Sequence, residues 1–181
     1  MTNQEDRPLT WWECEPKRLA RDQREVTQWC SDLTWVPEGA GMWQGMLPLW
    51  PFDRAEPVGL RGLIGQEGMP VMVVYGHAYP MVPPAVYPLD PKPELTEFTQ
   101  TRFHVMGDGS LCLLQDASSW TGRDSIIDLL LKAAGWRVEY ALIKAGVIEA
   151  MTISGIVNDA SQDHLIARAL EQVRSADEVA E

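Results

Sequence analysis

The sequence predicts an α+β fold. Helical periodicity appears at both ends of the chain, a series of short β-like runs fills the first half, and the middle is irregular and rich in Pro and Gly. Helices segregated from an antiparallel meander make up an α+β architecture. A chain of 181 residues fits one domain with a terminal extension, and it is long enough to bury a sizeable core.

Residues 1–9 are polar, and 1–14 read as a flexible N-terminal segment. Glu15 to Cys30 reads as a helix: Pro16 suits the first turn, and Leu19, Val26, Trp29 and Cys30 recur near helical spacing. Four strands are expected next, at Leu33–Val36, Met42–Trp50, Val58–Gln66 and Pro70–Tyr75, joined by hairpins as an antiparallel meander. Tyr79 to Val86 (YPMVPPAV) loses three backbone donors to proline. It is expected to be a stiff crossing loop rather than a central strand. Pro88–Thr101 is an irregular connection. Asp124 or Ser125 can cap a long helix with a broad apolar face, with Gly135 and Gly146 as break points. Val147–Ile156 is ambiguous with a strand, and Gln162–Arg174 reads as a last amphipathic helix. The main domain is placed at 15–145, with 146–181 as a C-terminal extension. That last helix has three open roles: completing the core, dimerising the protein, or binding an activating enzyme of the kind the resemblance given below implies.

The formal net charge of −11 excludes a phosphate-binding face of the kind nucleic acids require. The nearest basic cluster, Lys17, Arg18, Arg21 and Arg24, is interleaved with Asp22 and Glu25. It reads as a solvated helix face, with docking of an acidic protein as the alternative. No apolar run approaches the roughly 20 residues of a membrane span, and the acidic N-terminus is no secretory signal. Cys14, Cys30 and Cys112 are odd in number and lack metal-ligand spacing. No metal or cofactor is expected, and a cytoplasmic setting is the simplest. Six of the eight tryptophans lie in the first third of the chain. Most should be core; Trp11 or Trp12, if exposed, would mark a partner surface.

The chemistry concentrates between Arg102 and Ser125. Gly107-Asp108-Gly109-Ser110 is a turn signal, followed by Cys112 within a short apolar run. A lone cysteine is usually a packed one. Here His104 lies eight residues before it, and Arg102, His104 and Arg123 are candidates to favour a thiolate. Cys112 and His104 are therefore the candidate catalytic residues, with a surface or core histidine as the competing reading of His104.

Two motifs add to this. Tyr79-Pro80-Met81-Val82-Pro83-Pro84-Ala85-Val86 resembles the Tyr-Pro-x-x-Pro-Pro-x-Val loop of ubiquitin-conjugating enzymes, and Gly109-Ser110-Leu111-Cys112-Leu113 resembles their cysteine motif. Trp120 stands where that family has a tryptophan, and the order of elements over about 15–145 is similar. His104 stands where the eukaryotic members carry an asparagine, as it does in prokaryotic relatives found in anti-phage operons of the CBASS type. The resemblance implies a UBC-like fold and a thioester on Cys112 passed to an amine. The acyl donor would be the C-terminus of a cGAS-like nucleotidyltransferase or a ubiquitin-like protein, with an activating enzyme as a further partner. His104 would stabilise the oxyanion or deprotonate the amine. Two other functions stay open. One is an inactive interaction module on the same fold. The other is a cysteine hydrolase with a Cys112–His104 pair, for which Asp108 or Asp116 would orient the base.

Overall fold

Pro16 at the first turn and a burial stripe at Arg18, Asp22 and Val26 define the long N-terminal helix. In the computed structural model it is α2, Pro16–Trp29. The structure describes residues 8–115, 119–153, 155–157 and 159–180, the last four of these without their side chains. A single helical turn, α1 (Trp11–Cys14), precedes α2. Thr10 and Glu13 form its capping box, the Thr10 N–H and hydroxyl donating to Glu13 Oε2 at 2.8 and 2.9 Å. The expectation of a loose lead-in fails at Trp11. Its side chain is buried, and its indole N–H donates to the Ala40 carbonyl at 2.7 Å. Trp11 stacks on Tyr75 with ring centres 5.1 Å apart, so it marks no partner surface.

Four strands follow: β1 (Leu33–Val36), β2 (Met42–Leu47), β3 (Met69–Val74) and β4 (Ala85–Pro88). They pair antiparallel in the order β1-β2-β3-β4. Trp35 opposes Trp43, Trp43 opposes Val73 and Val73 opposes Val86. Burial alternates along β3, with Met69, Val71 and Val73 facing the core.

One expected strand and one expected loop are corrected. Val58–Gln66 contains no strand; it carries a short helix, α3 (Leu60–Ile64). Gly59 and Gly65 bracket it with φ of 90° and 87°, a region that glycine enters freely. Leu60, Leu63 and Ile64 then share one helical face, packed with an apolar cluster that includes Phe52, Val138 and Leu142. The fourth strand comes instead from the end of the proline-rich stretch, whose Ala85–Pro88 pairs with Val71–Val74. Proline is tolerated there because β4 is an edge strand.

Ser125 caps α4 (Ile126–Lys144), its hydroxyl accepting from the Ile127 N–H at 3.2 Å. The helix is buried on most sides, and Leu129, Leu130 and Ala133 join the cluster that contains Val71, Val73 and Val86. Gly135 does not break it. A Cβ there would sit 3.1 Å from the side chains of Ile156 and Val157, so the glycine lets the later chain pack close. Gly146 does mark the end, at φ 71°. The described residues of 147–156 contain no strand. The last helix, α5 (Asp163–Ala180), buries Ile166 and Ala169 against Leu60, Val138 and Leu142. Arg54 clasps its start, donating to Asp163 and to the Val157 and Ile156 carbonyls. Completing the core is thus one role of this helix. Among the described residues, no helix is long and apolar enough to cross a membrane.

Candidate functional site

Cys112 is carried by a tight hairpin. Val105 and Leu111 form an isolated antiparallel bridge. The Met106 N–H donates to the Ser110 carbonyl at 2.7 Å, and the Gly109 N–H to that of Met106 at 3.0 Å. Asp108 locks the turn. Its Oδ1 accepts from the Ser110 N–H at 3.0 Å and hydroxyl at 2.7 Å, and its Oδ2 from the Tyr87 hydroxyl at 3.1 Å. The Ser110 hydrogen bonds are the main reason its carboxyl is held below the usual range. Asp108 is therefore committed to the turn and is no orienter of His104. Asp116 lies outside the described residues.

One rung below the bridge, the Cys112 N–H donates to the His104 carbonyl at 2.7 Å. The eight-residue spacing thus becomes direct opposition across a hairpin. In a regular antiparallel pair, opposed Cβ atoms are about 4.5–5.5 Å apart. Val105 and Leu111 face the core, and their neighbours His104 and Cys112 line an open pocket of about 770 Å3. Both are only partly buried. The Cys112 thiol points toward the Leu114 carbonyl at 3.8 Å.

His104 has φ 48°, the left-handed region, and it alone does so among the described non-glycine residues. Asn, Asp and His are the side chains that enter this region most readily. Burial lowers the His104 pKa below the ordinary value, so the imidazole is neutral at neutral pH. A neutral imidazole offers one N–H donor and one acceptor nitrogen. The arginines expected to favour a thiolate do not line the pocket. Arg102 donates to the Glu149 carbonyl at 3.1 Å and lies over the Phe103 ring.

The hairpin is held from behind. Trp136 of α4 donates its indole N–H to the Phe103 carbonyl at 2.7 Å. Trp120 donates to the Pro80 carbonyl at 2.8 Å, joining the chain beyond the cysteine to the proline-rich stretch. Arg18 of α2 donates to the Tyr79 hydroxyl and to the Gly122 and Asp124 carbonyls. The Tyr79 hydroxyl in turn donates to Asp22 at 2.5 Å. Arg18 and Asp22 are buried, so neither belongs to a solvated face.

Three pocket residues escape a sequence reading: Lys132 and Glu139 of α4, and Thr152. Glu139 is 3 % exposed. Its Oε1 accepts from the Thr152 hydroxyl at 2.6 Å. It shares a helical face with Trp136 and Ile143, both buried, and a carboxylate inside that apolar stripe is the signal that marks it.

Cys14 is exposed and Cys30 buried. Burial raises the Cys30 thiol above its ordinary pKa, and it donates to the Met46 carbonyl at 3.1 Å. Among the described residues, no group of His, Cys, Asp and Glu could hold a metal ion. In comparisons with protein-family models, curated proteins and solved structures, nothing matches this chain.

Proposed function

We propose that the protein is a ubiquitin-conjugating-like acyltransferase. Cys112 accepts an acyl group as a thioester and hands it to an amine. The observation that carries this reading is the opposition of Cys112 and a neutral His104 across one hairpin, both on an open pocket. The order of elements supports it too: helix, antiparallel meander, proline-rich crossing, cysteine hairpin, helix.

The thiolate attacks the donor's carbonyl, and the donor's leaving group departs. The acceptor amine then attacks the thioester, the C–N bond forms, and the Cys112 sulfur leaves. Each attack builds negative charge on the carbonyl oxygen. His104, with an N–H to donate, is placed to stabilise it; losing one such donor costs about 10²–10³ in rate. The left-handed backbone at this position suits His and Asn alike, so a His where that family carries Asn fits this reading. The donors that fit this reading are the C-terminus of a cGAS-like nucleotidyltransferase or a ubiquitin-like protein, in anti-phage defence. A Cys112–His104 hydrolase is the weaker reading, because Asp108 is held at the turn.

The test uses a short peptide carrying a C-terminal thioester of mercaptoethanesulfonate. Transthioesterification should place the peptide on Cys112, with mercaptoethanesulfonate released and the adduct discharged by reductant. Cys112→Ser should convert this to a reductant-stable ester or abolish it. Release of free peptide acid at each turnover, with no adduct on Cys112, would favour the hydrolase instead.

A further inference from the structure

The pocket that holds Cys112 and His104 contains a third reactive group, which the thiol and imidazole do not account for. Glu139 is almost fully buried and lines the same cavity, one helical turn from Trp136. Its hydrogen-bond partner fixes what it can do. Thr152 Oγ1 accepts from the Gly155 N–H at 3.1 Å, so the hydroxyl proton is free to go to Glu139 Oε1. Glu139 therefore acts as an acceptor there. Its Oε2 makes no hydrogen bond among the described residues, and no Lys, Arg or His among them pairs with it. Trp136 and Met151 supply buried apolar surface to the same cavity. A carboxylate set in apolar walls beside an acyl-carrying sulfur suits one ligand chemistry: a primary ammonium on an aliphatic stem.

We infer that Glu139 is a further catalytic residue, the group that receives the acceptor's ammonium in this pocket and takes its proton before attack on the Cys112 thioester. The inference rests on the acyl-transfer reading and deepens it. The protons balance. The ammonium gives one proton to Glu139, and the neutral nitrogen attacks the carbonyl. The second nitrogen proton leaves to water or to the Cys112 sulfur as the C–S bond breaks. His104 is then left with the oxyanion. Burial raises the Glu139 carboxyl above its ordinary pKa, against the Thr152 hydrogen bonds that lower it, and this makes it a better proton acceptor than a surface carboxylate. The charged and titratable groups around it are His104 across the pocket, Lys132 on the same helix and Asp159 ahead of α5.

The experiment loads the full chain with the peptide thioester and follows single-turnover discharge to two nucleophiles. n-Butylamine is cationic at neutral pH, whereas hydroxylamine is uncharged and has no ammonium to capture. In Glu139→Gln the ratio of n-butylamine to hydroxylamine rates should fall about 10²-fold, the low end of what general-base catalysis supplies. In the wild type, n-butylguanidinium, charged but non-nucleophilic, should slow n-butylamine discharge; this arm needs no variant to fold. A ratio unchanged in Glu139→Gln, or no competition in the wild type, overturns the role of Glu139 while leaving the thioester reading intact. A wild type that never acquires the adduct on Cys112 overturns both.

Discussion

Replacing Asp22 by Ala should cost the fold about 3–5 kcal/mol, the range for removing one member of a buried ion pair. Asp22 is fully buried and Arg18 is 8 % exposed. The Arg18 Nε lies 3.0 Å from Asp22 Oδ1, but its hydrogen bond goes to the Tyr79 hydroxyl at 2.7 Å, leaving Oδ1 with charge attraction alone. Burial pushes the Asp22 carboxyl up, and the Tyr79 hydrogen bond and the Arg18 charge draw it back down. Ala would leave Arg18 charged and uncompensated, and would strip the Tyr79 and Tyr75 hydroxyls of their acceptor. Stabilities of whole domains are about 5–15 kcal/mol, so a large share of the total is at stake. Arg18 also holds the Gly122 and Asp124 carbonyls, and the loss should loosen the segment just beyond the cysteine hairpin. Urea unfolding reads the change as a lower midpoint. A shift worth less than about 1 kcal/mol would place this pair among ordinary surface contacts and refute the argument.

Other consequences are as direct. Because burial raises the Glu139 pKa in the folded state, the stability this provides is fully present below the ordinary carboxylate value and is lost as pH rises through the folded value. Glu139→Gln should therefore gain thermal stability over the wild type as pH rises from 4 to 8; a gap that stays constant or shrinks contradicts this. For His104 the sign is opposite: its lowered pKa contributes stability above the ordinary value of about 6.5, lost as pH falls through the folded value, and NMR titration of the imidazole checks the direction. His104→Val should cost about 1–3 kcal/mol more than His104→Asn, because a β-branched residue is strained in the left-handed region; equal melting temperatures would count against it. Iodoacetamide should modify Cys14 and Cys112 and spare Cys30 in the folded protein, and peptide mapping that finds Cys30 labelled first would reverse that order.

Much of the frame was legible where one local signal had no rival. Pro16 starts α2, and Gly107-Asp108-Gly109-Ser110 folds back to set His104 opposite Cys112; of the two cap candidates, Asp124 and Ser125, the structure selects Ser125. The rest depended on tertiary context. Leu60–Ile64 is a short segment with three apolar residues, and a segment of that length reads equally as strand or helix; its apolar side packs with α5 as α3. Tyr79–Val86 is too proline-rich for a central strand, yet the edge position of β4 removes the objection for Ala85–Pro88. Trp11 reads from the sequence as part of a polar tail because its partners, Ala40, Tyr75 and Tyr79, are distant along the chain. Glu139 and Thr152 were invisible for the same reason, since their meeting is made by the turn after α4.

The most direct test of the account is the intact mass of the protein after exposure to the peptide thioester, in a Cys14→Ser background that removes the exposed competing thiol. The account predicts one adduct, mapped to Cys112, released by reductant and absent from Cys112→Ala. A protein that stays unmodified, or an adduct that persists in Cys112→Ala, would contradict it.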